Sequence, residues 1–270
     1  MIKMLKGKSW LLIFGMLLLC RVGASFFFFW KIRNQLFLAV IPHFTILPGK
    51  VSDFYTFLKE QYFAEEMPDQ IILLSPNHFF TKQKKVEGTC TPQKIAFKNQ
   101  TVYTIPFDDP RIECWGEGFY FKGGQKYTKD HGLGEHFRWI NEFFPDIPLS
   151  ILALPSHLMT HSDWIAKKIQ TLPGKTFVIA SVDFSHYLAE EIAQKHDEIS
   201  FATLAKSGNF EKIRALDVDC PACLGVMYRL AEKSKGEVQQ RWRDSSSTIV
   251  GRDLKEENTS RQFLRRKSAF

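Results

Sequence analysis

Histidine and aspartate side chains recur along this chain at places where an apolar run ends. His43 follows the run LFLAVI, and His78 follows the run IILL after three intervening residues. Asp183 and His186 follow the run TFVIAS in the same way. Imidazole and carboxylate groups bind transition metals, and imidazole exchanges protons near neutral pH. One such residue is usually a packed or capping residue, but three positions of this kind indicate a shared site.

Two further stretches carry residues of the same chemical types. DHGLGEHF contains His131 and His136, and VDCPACLG contains Cys220 and Cys223. Both stretches look like the start of a helix, where the helix dipole favours a thiolate. CPAC also has the C-x-x-C spacing of a dithiol redox site, so a dithiol redox protein is one open interpretation.

The elements that must position these residues alternate between strand and helix. Short buried strands are predicted at 36–41, 71–74, 149–154 and 176–181. Helical spacing or helix boundaries predict helices at 51–62, 133–144, 162–172, 189–206 and 223–233. This alternation predicts an α/β fold, a single domain with a central, mainly parallel sheet flanked by helices. The carboxyl ends of parallel strands share one edge, which is where open α/β folds bind ligands.

Charge and cysteine content exclude some classes of function. The net charge is +7, but much of the excess lies in the two terminal segments. The body of the chain has no basic stripe interleaved with aromatic residues, so we expect no nucleic-acid binding. The five cysteines are odd in number and not densely spaced, which does not indicate a disulfide scaffold. Cys90 and Cys114 lie in an irregular stretch and are interpreted as bystanders.

The N-terminal segment has the composition of a membrane anchor or a signal peptide. Residues 10–30 are largely apolar, are interrupted by Arg21 and follow three lysines. This length is enough to span a bilayer, and we expect a membrane-anchored protein with its domain on the exported side. VGAS allows the alternative of signal cleavage and secretion, and Cys20 allows lipidation.

The chain therefore divides into three predicted parts. Residues 1–33 form the anchor or signal segment, residues 34–252 form the α/β domain, and residues 253–270 form a charged tail.

The ordered set of motifs resembles one known family. The motifs are PHF at 42–44, LLSPNHF at 73–79, DHGLGEHF at 130–137, SVDFSHY at 181–187 and DCPACLG at 219–225. Their order and spacing resemble the MEMO family, also called AmmeMemoRadiSam system protein B. The resemblance covers roughly residues 36–252. It implies a fold similar to the class III extradiol dioxygenases, the LigB-like group.

The resemblance also implies a set of site residues. His43, His78 and Cys220 match the positions that hold one transition metal ion, copper or iron, in the family. The implied catalytic residues are Asp183, His186, His131 and His136. The sequence departs from the family where PHFTI lacks a glycine, and CPACL allows Cys223 to take the place of Cys220.

The function implied is that of a MEMO-like metal-binding protein, with a copper- or iron-dependent redox enzyme as its catalytic form. A non-catalytic module that binds a ligand or peptide on the same fold is the alternative, beside the dithiol protein. The expected partners are a small molecule or peptide, the membrane through the N-terminal segment, and a radical-SAM protein by resemblance.

Overall fold

A computed structural model describes residues 35–43, 48–79, 84–90, 92–97, 100–115, 130–206, 208–233, 237–251, 254 and 259–267. The predicted anchor or signal at 1–33 lies outside these residues. Within the described residues, no helix is both long enough and apolar enough to cross a bilayer.

The described elements alternate as the sequence predicts, with additional short strands. The strands are β1 (Gln35–Ile41), β2 (Gln70–Pro76), β3 (Val86–Gly88), β4 (Gln93–Phe97), β5 (Gln100–Thr104), β6 (Ile112–Cys114), β7 (Leu149–Leu154), β8 (Lys175–Ser181), β9 (Phe184–His186), β10 (Glu237–Ser245) and β11 (Thr259–Lys267). The helices are α1 (Pro48–Tyr62), α2 (His131–Phe143), α3 (Thr160–Thr171), α4 (Glu190–Ala205), α5 (Phe210–Ile213), α6 (Pro221–Lys233) and α7 (Ser246–Val250).

The described strands form one mixed sheet with a parallel centre. Its main path runs β10-β11-β1-β8-β2-β7-β3-β6, while β4 pairs with β5 and β9 pairs with β11. The four central strands β1, β8, β2 and β7 are parallel to one another. Antiparallel pairs flank this centre on both sides. The prediction of an α/β fold with a central, mainly parallel sheet is therefore confirmed.

Alternating side chains of the central strands build a core on each face of the sheet. Leu38 belongs to one core cluster, and its neighbour Ala39 belongs to the other. Phe54 of α1 packs in the cluster that contains Ala39, together with residues of α2. Ile165 of α3 and Leu224 of α6 pack in the opposite cluster. Because both faces are covered, the central strands read as continuous apolar runs in the sequence.

The pairing of β1, β8 and β2 brings distant parts of the chain to one edge. Ile41 pairs with Ser181, and Leu74 pairs with Ala180, so the three strands end at similar heights. The segments that follow these strands therefore begin side by side. They carry His43, His78 and Asp183, which are far apart in the sequence.

The C-terminal part of the chain completes one side of the sheet. β11 lies between β1 and β10 and is antiparallel to both. It also pairs with β9, where Thr259 is opposite His186. Residues 259–267, within the predicted charged tail, thus form a strand of the sheet.

Two disulfides correct the sequence-based interpretation of the cysteines. Cys90, just after β3, is bonded to Cys114 at the end of β6. Cys220, just before α6, is bonded to Cys223 in the first turn of that helix. Cys90 and Cys114 are therefore not bystanders; the pairing of β3 with β6 that brings them together is not visible in the sequence of one irregular stretch.

We expect the Cys90–Cys114 bond to stabilise the fold through the unfolded state. Its partners are 24 residues apart, and replacing both with serine should lower the free energy of unfolding by about 3 kcal/mol. Urea denaturation of the wild-type protein and the double-serine variant, both without reductant, measures the difference in the free energy of unfolding. The gap should close when both proteins are reduced; a gap that persists would mean lost packing rather than a lost crosslink.

Candidate metal centre

Three histidine rings meet at the carboxyl edge of the sheet. His43 follows β1, His78 follows β2, and His131 is the first residue of α2. The ring centroids are 4.9 Å apart for His43 and His78, 4.9 Å for His43 and His131, and 4.0 Å for His78 and His131. One nitrogen of each ring lies within 4.8 Å of the others. The structure therefore brings together the two histidines predicted as metal ligands and adds a third.

Hydrogen bonds fix the protonation of the His43 ring. Its Nδ1 lies 2.9 Å from Ser181 Oγ, and that hydroxyl donates its proton to Gly132 O at 2.6 Å. Ser181 Oγ can then only accept, so His43 Nδ1 carries the hydrogen. The opposite nitrogen, Nε2, faces Asp219 Oδ2 at 3.1 Å and Asp183 Oδ2 at 3.6 Å.

The His78 ring, like that of His43, is held through its Nδ1 atom, in this case by a carboxyl group. Its Nδ1 donates to Asp130 Oδ1 at 2.8 Å, and its backbone N–H donates to Asp130 Oδ2 at 3.1 Å. Asp130 is fully buried and also caps α2 by accepting from Gly132 N. A carboxyl group behind a histidine is the usual outer partner of a metal ligand. His78 Nε2 is thereby left facing Asp219 Oδ2 at 3.7 Å.

Asp219 presents one carboxylate oxygen to both imidazoles. Its Oδ1 accepts from Asp183 N at 3.1 Å, and its own backbone N–H donates to Asp183 O at 3.1 Å. Its Oδ2 is buried and meets the geometry of a hydrogen bond with no described residue. A buried carboxylate oxygen without such a bond is unfavourable unless a cation compensates it.

The donor atoms fit a metal ion. His43 Nε2, His78 Nε2 and Asp219 Oδ2 converge, and metal ligands with bonds of about 2.1 Å stand about 3 Å apart. Asp183 Oδ2 joins His43 and Asp219 in a second group of ligand atoms within 4.8 Å. The fit rests on the convergence of the buried Asp219 oxygen with two ring nitrogens whose opposite nitrogens are held by Ser181 and Asp130.

The carboxyl groups set the protonation of the two ligand histidines. Burial lowers the pKa of His43, but Asp183 and Asp219 outweigh burial and the net pKa is raised. Burial also opposes the charged form of His78, but Asp130 and Asp219 raise its pKa to about 9. For Asp219, the two histidines outweigh burial and lower the pKa. Without a metal, protons therefore occupy the positions that face Asp219.

His131 responds in the opposite direction. Burial, together with the positive charges of His78 and His43, lowers its pKa to about 4. Because this pKa lies well below 7, His131 is a neutral imidazole near pH 7. The residue is exposed, so the ring lies on the open side of the cluster.

His136, predicted as catalytic, lies in the core instead. Its Nδ1 is 3.0 Å from Tyr55 Oη, and its Nε2 is buried without a hydrogen-bond partner among the described residues. Burial, followed by the charge of His43, lowers its pKa to about 3. It does not belong to the groups of ligand atoms found in the described part of the chain.

Asp183 and His186 lie on or beside β9 at the same edge. Asp183 is buried, and its Oδ1 accepts from His43 N at 2.9 Å, which fixes the backbone that carries the ligand ring. His186 is half-buried at the end of β9, and its electrostatic interaction with Asp219 helps to lower the pKa of that carboxyl group.

The predicted third ligand, Cys220, lies away from the histidine rings, and its neighbour Asp219 faces them instead. Cys220 is fully buried in the apolar core, and its sulfur is bonded to Cys223, so it is not a thiolate donor. Sequence reasoning missed Asp219 because an aspartate just before a helix reads as a cap. The signal that was present is its position beside the motif cysteine in VDCPAC.

Two curated proteins are similar to this chain. A MEMO1 family protein of Pyrobaculum arsenaticum is 23% identical over 167 residues, which cover 56% of this chain and 55% of the relative. A MEMO1 family protein of Pyrobaculum aerophilum is 23% identical over 184 residues, which cover 62% of this chain and 61% of the relative. The chain thus spans less than two thirds of the length of either relative. No family model matches the chain. The two similarities support the MEMO resemblance.

Metal affinity should rise with pH across the neutral range. A histidine must lose the proton on its ligating nitrogen before it binds a metal, and His78 holds that proton up to a pKa of about 9. Each displaced proton raises the apparent affinity about tenfold per pH unit below the pKa. Titrations with cobalt(II) at pH 6, 7 and 8 measure the slope. A flat profile would mean that His78 is not a ligand.

Proposed function

We propose that this chain is a MEMO-like metal-binding protein whose ion is held by His43, His78 and Asp219. The observation that carries the proposal is the buried Asp219 Oδ2, which lies 3.1 Å from His43 Nε2 and 3.7 Å from His78 Nε2. The similarity to MEMO1 family proteins supports the same conclusion.

We further propose iron(II) as the ion and a redox reaction as the activity. Two histidines and one carboxylate with open positions are the donor set of non-haem iron oxygenases, whereas a thiolate would have favoured copper. Iron in such a set supplies electron transfer and oxygen chemistry when it is bound. The substrate on this proposal is a small molecule that enters from the side of the exposed His131.

The protein residues would hold and orient the reacting groups. Ser181 and Asp130 keep hydrogens on the Nδ1 atoms of His43 and His78, so that both Nε2 atoms are available. His131 is neutral near pH 7 and can accept a hydrogen bond from a bound ligand. His186, at the same edge, is the proposed acid or base for the substrate.

Metal content tests this proposal. The full chain purified without chelator or affinity tag should contain about one iron per molecule, because three donors suffice for a stable site with open positions. His43→Ala and Asp219→Ala should each lower the iron content at least about tenfold. Copper in place of iron would retain the metal site and reject the iron assignment. Zinc would reject the redox activity.

Two cysteine variants decide between Asp219 and Cys220 as the third ligand. Cys220→Ser and Cys223→Ser break the same disulfide, so their effects on stability are matched. If Asp219 is the ligand, both variants should keep the same metal content. Loss of metal in Cys220→Ser alone would assign the third position to the cysteine.

The two alternative functions make different predictions. A non-catalytic ligand- or peptide-binding module would fold without metal and gain no stability when iron(II), copper(II) or zinc is added. A dithiol redox protein must expose one sulfur to its partner, but Cys220 and Cys223 are both fully buried. The metal site is therefore the better-supported function.

We also propose that the domain lies on the exported side of a membrane. The two disulfides support this location, because such bonds persist in oxidising compartments. The apolar segment at 10–30 supplies the anchor or signal on this proposal. The orientation can be tested by fusing to the C-terminus a reporter enzyme that is active only after export. An active fusion is expected.

A further inference from the structure

A second buried carboxyl group ties three strands together beside the metal centre. Asp197 of α4 accepts from Ser185 Oγ of β9 at 2.8 Å and from Ser260 Oγ of β11 at 2.8 Å. Its other oxygen accepts from Arg243 Nε of β10 at 2.7 Å. Asp197, Ser185 and Ser260 are all buried. A carboxyl group at such a position is stable only when it is bonded on all sides, so α4 and the three strands are held in one arrangement.

Ser185 occupies an unusual backbone conformation that this arrangement holds. Its φ is +26°, and Tyr187, two residues later, has a φ of +59°. Both φ values lie in the region that non-glycine residues rarely adopt. His186 lies between these two residues in the sequence. Such conformations persist where the surroundings over-determine them, and they cluster at functional sites. Ser185 is held from two sides, by its hydroxyl on Asp197 and by its backbone N–H on Asp217 O at 2.8 Å.

The segment that Ser185 anchors carries the carboxylate of the metal centre. Residues 183–185 run beside residues 217–219, with Phe184 bridged to Val218. Asp219 donates its backbone N–H to Asp183 O and accepts from Asp183 N. The position of Asp219 Oδ2 against the two histidines therefore depends on how residues 183–185 are held.

We propose that Ser185 and Asp197 are positioning residues for the metal centre. They set the distance of Asp219 Oδ2 from His43 and His78, and through it the metal affinity. When the Ser185 hydroxyl is lost, the backbone at 185 relaxes toward an ordinary φ, its N–H leaves Asp217 O, and residues 217–219 shift. The inference rests on the proposed metal-binding function and assigns roles to residues outside the donor set.

Two serines that donate to the same carboxyl oxygen provide a matched pair of variants. Ser185→Ala and Ser260→Ala each remove one buried hydroxyl bonded to Asp197 at 2.8 Å. Of the two, Ser185 carries the backbone bond to Asp217. We expect both variants to lose similar thermal stability without metal. Ser185→Ala should weaken cobalt(II) binding about tenfold, and Ser260→Ala by less than about twofold.

The visible spectrum of bound cobalt(II) separates positioning from general destabilisation. A shifted carboxylate changes the ligand field, so Ser185→Ala should alter the absorption bands while Ser260→Ala keeps the wild-type spectrum. Equal losses of affinity in both variants, or a wild-type spectrum in Ser185→Ala, would overturn the positioning role and leave the metal site intact. A wild-type protein that binds neither cobalt(II) nor iron(II) would overturn the metal-binding function and this inference together.

Discussion

The arrangement of the histidines depends on the attraction between the Asp219 carboxylate and the rings of His43 and His78. The neighbouring carboxyl groups raise the pKa values of His43 and His78, which favours like charges on two rings whose centroids are 4.9 Å apart. Like charges at that separation repel strongly where water is excluded. Asp219 lies against both rings and offsets this repulsion. For His131, burial together with the repulsion from His78 and His43 outweighs the carboxylates, so its pKa is lowered.

The carboxyl groups that support the site are also parts of the fold. Asp130 orients His78 and at the same time caps α2, so the start of that helix and the ligand ring cannot move independently. Asp183 holds the backbone of His43 and pairs with the backbone of Asp219. Each carboxyl group that shifts a histidine pKa is therefore fixed by hydrogen bonds to the main chain, which holds the histidine and carboxylate atoms in one arrangement.

Much of the fold follows from local sequence pattern, and the donor set follows only in part. The four central strands are visible as apolar runs because both faces of the sheet are covered. The prediction that His43, His78 and Asp183 share an edge needs only parallel strands. That β8 lies between β1 and β2 is a property of long-range pairing, which no local pattern reports. The same holds for β11, whose charged sequence reads as a tail, and for the Cys90–Cys114 bond.

Asp219 and Cys220 show how two adjacent residues can enter different surroundings. The two residues are neighbours at the start of α6, and consecutive side chains point in different directions there. Asp219 is turned toward the histidines by its paired bonds with Asp183, while Cys220 packs in the apolar core and is bonded to Cys223. A carboxylate oxygen thus faces His43 and His78, whereas the family resemblance implies the sulfur of Cys220 there. Because metal preference follows donor type, a residue-by-residue transfer of the family's ligands would miss the carboxylate that this chain places against its histidines.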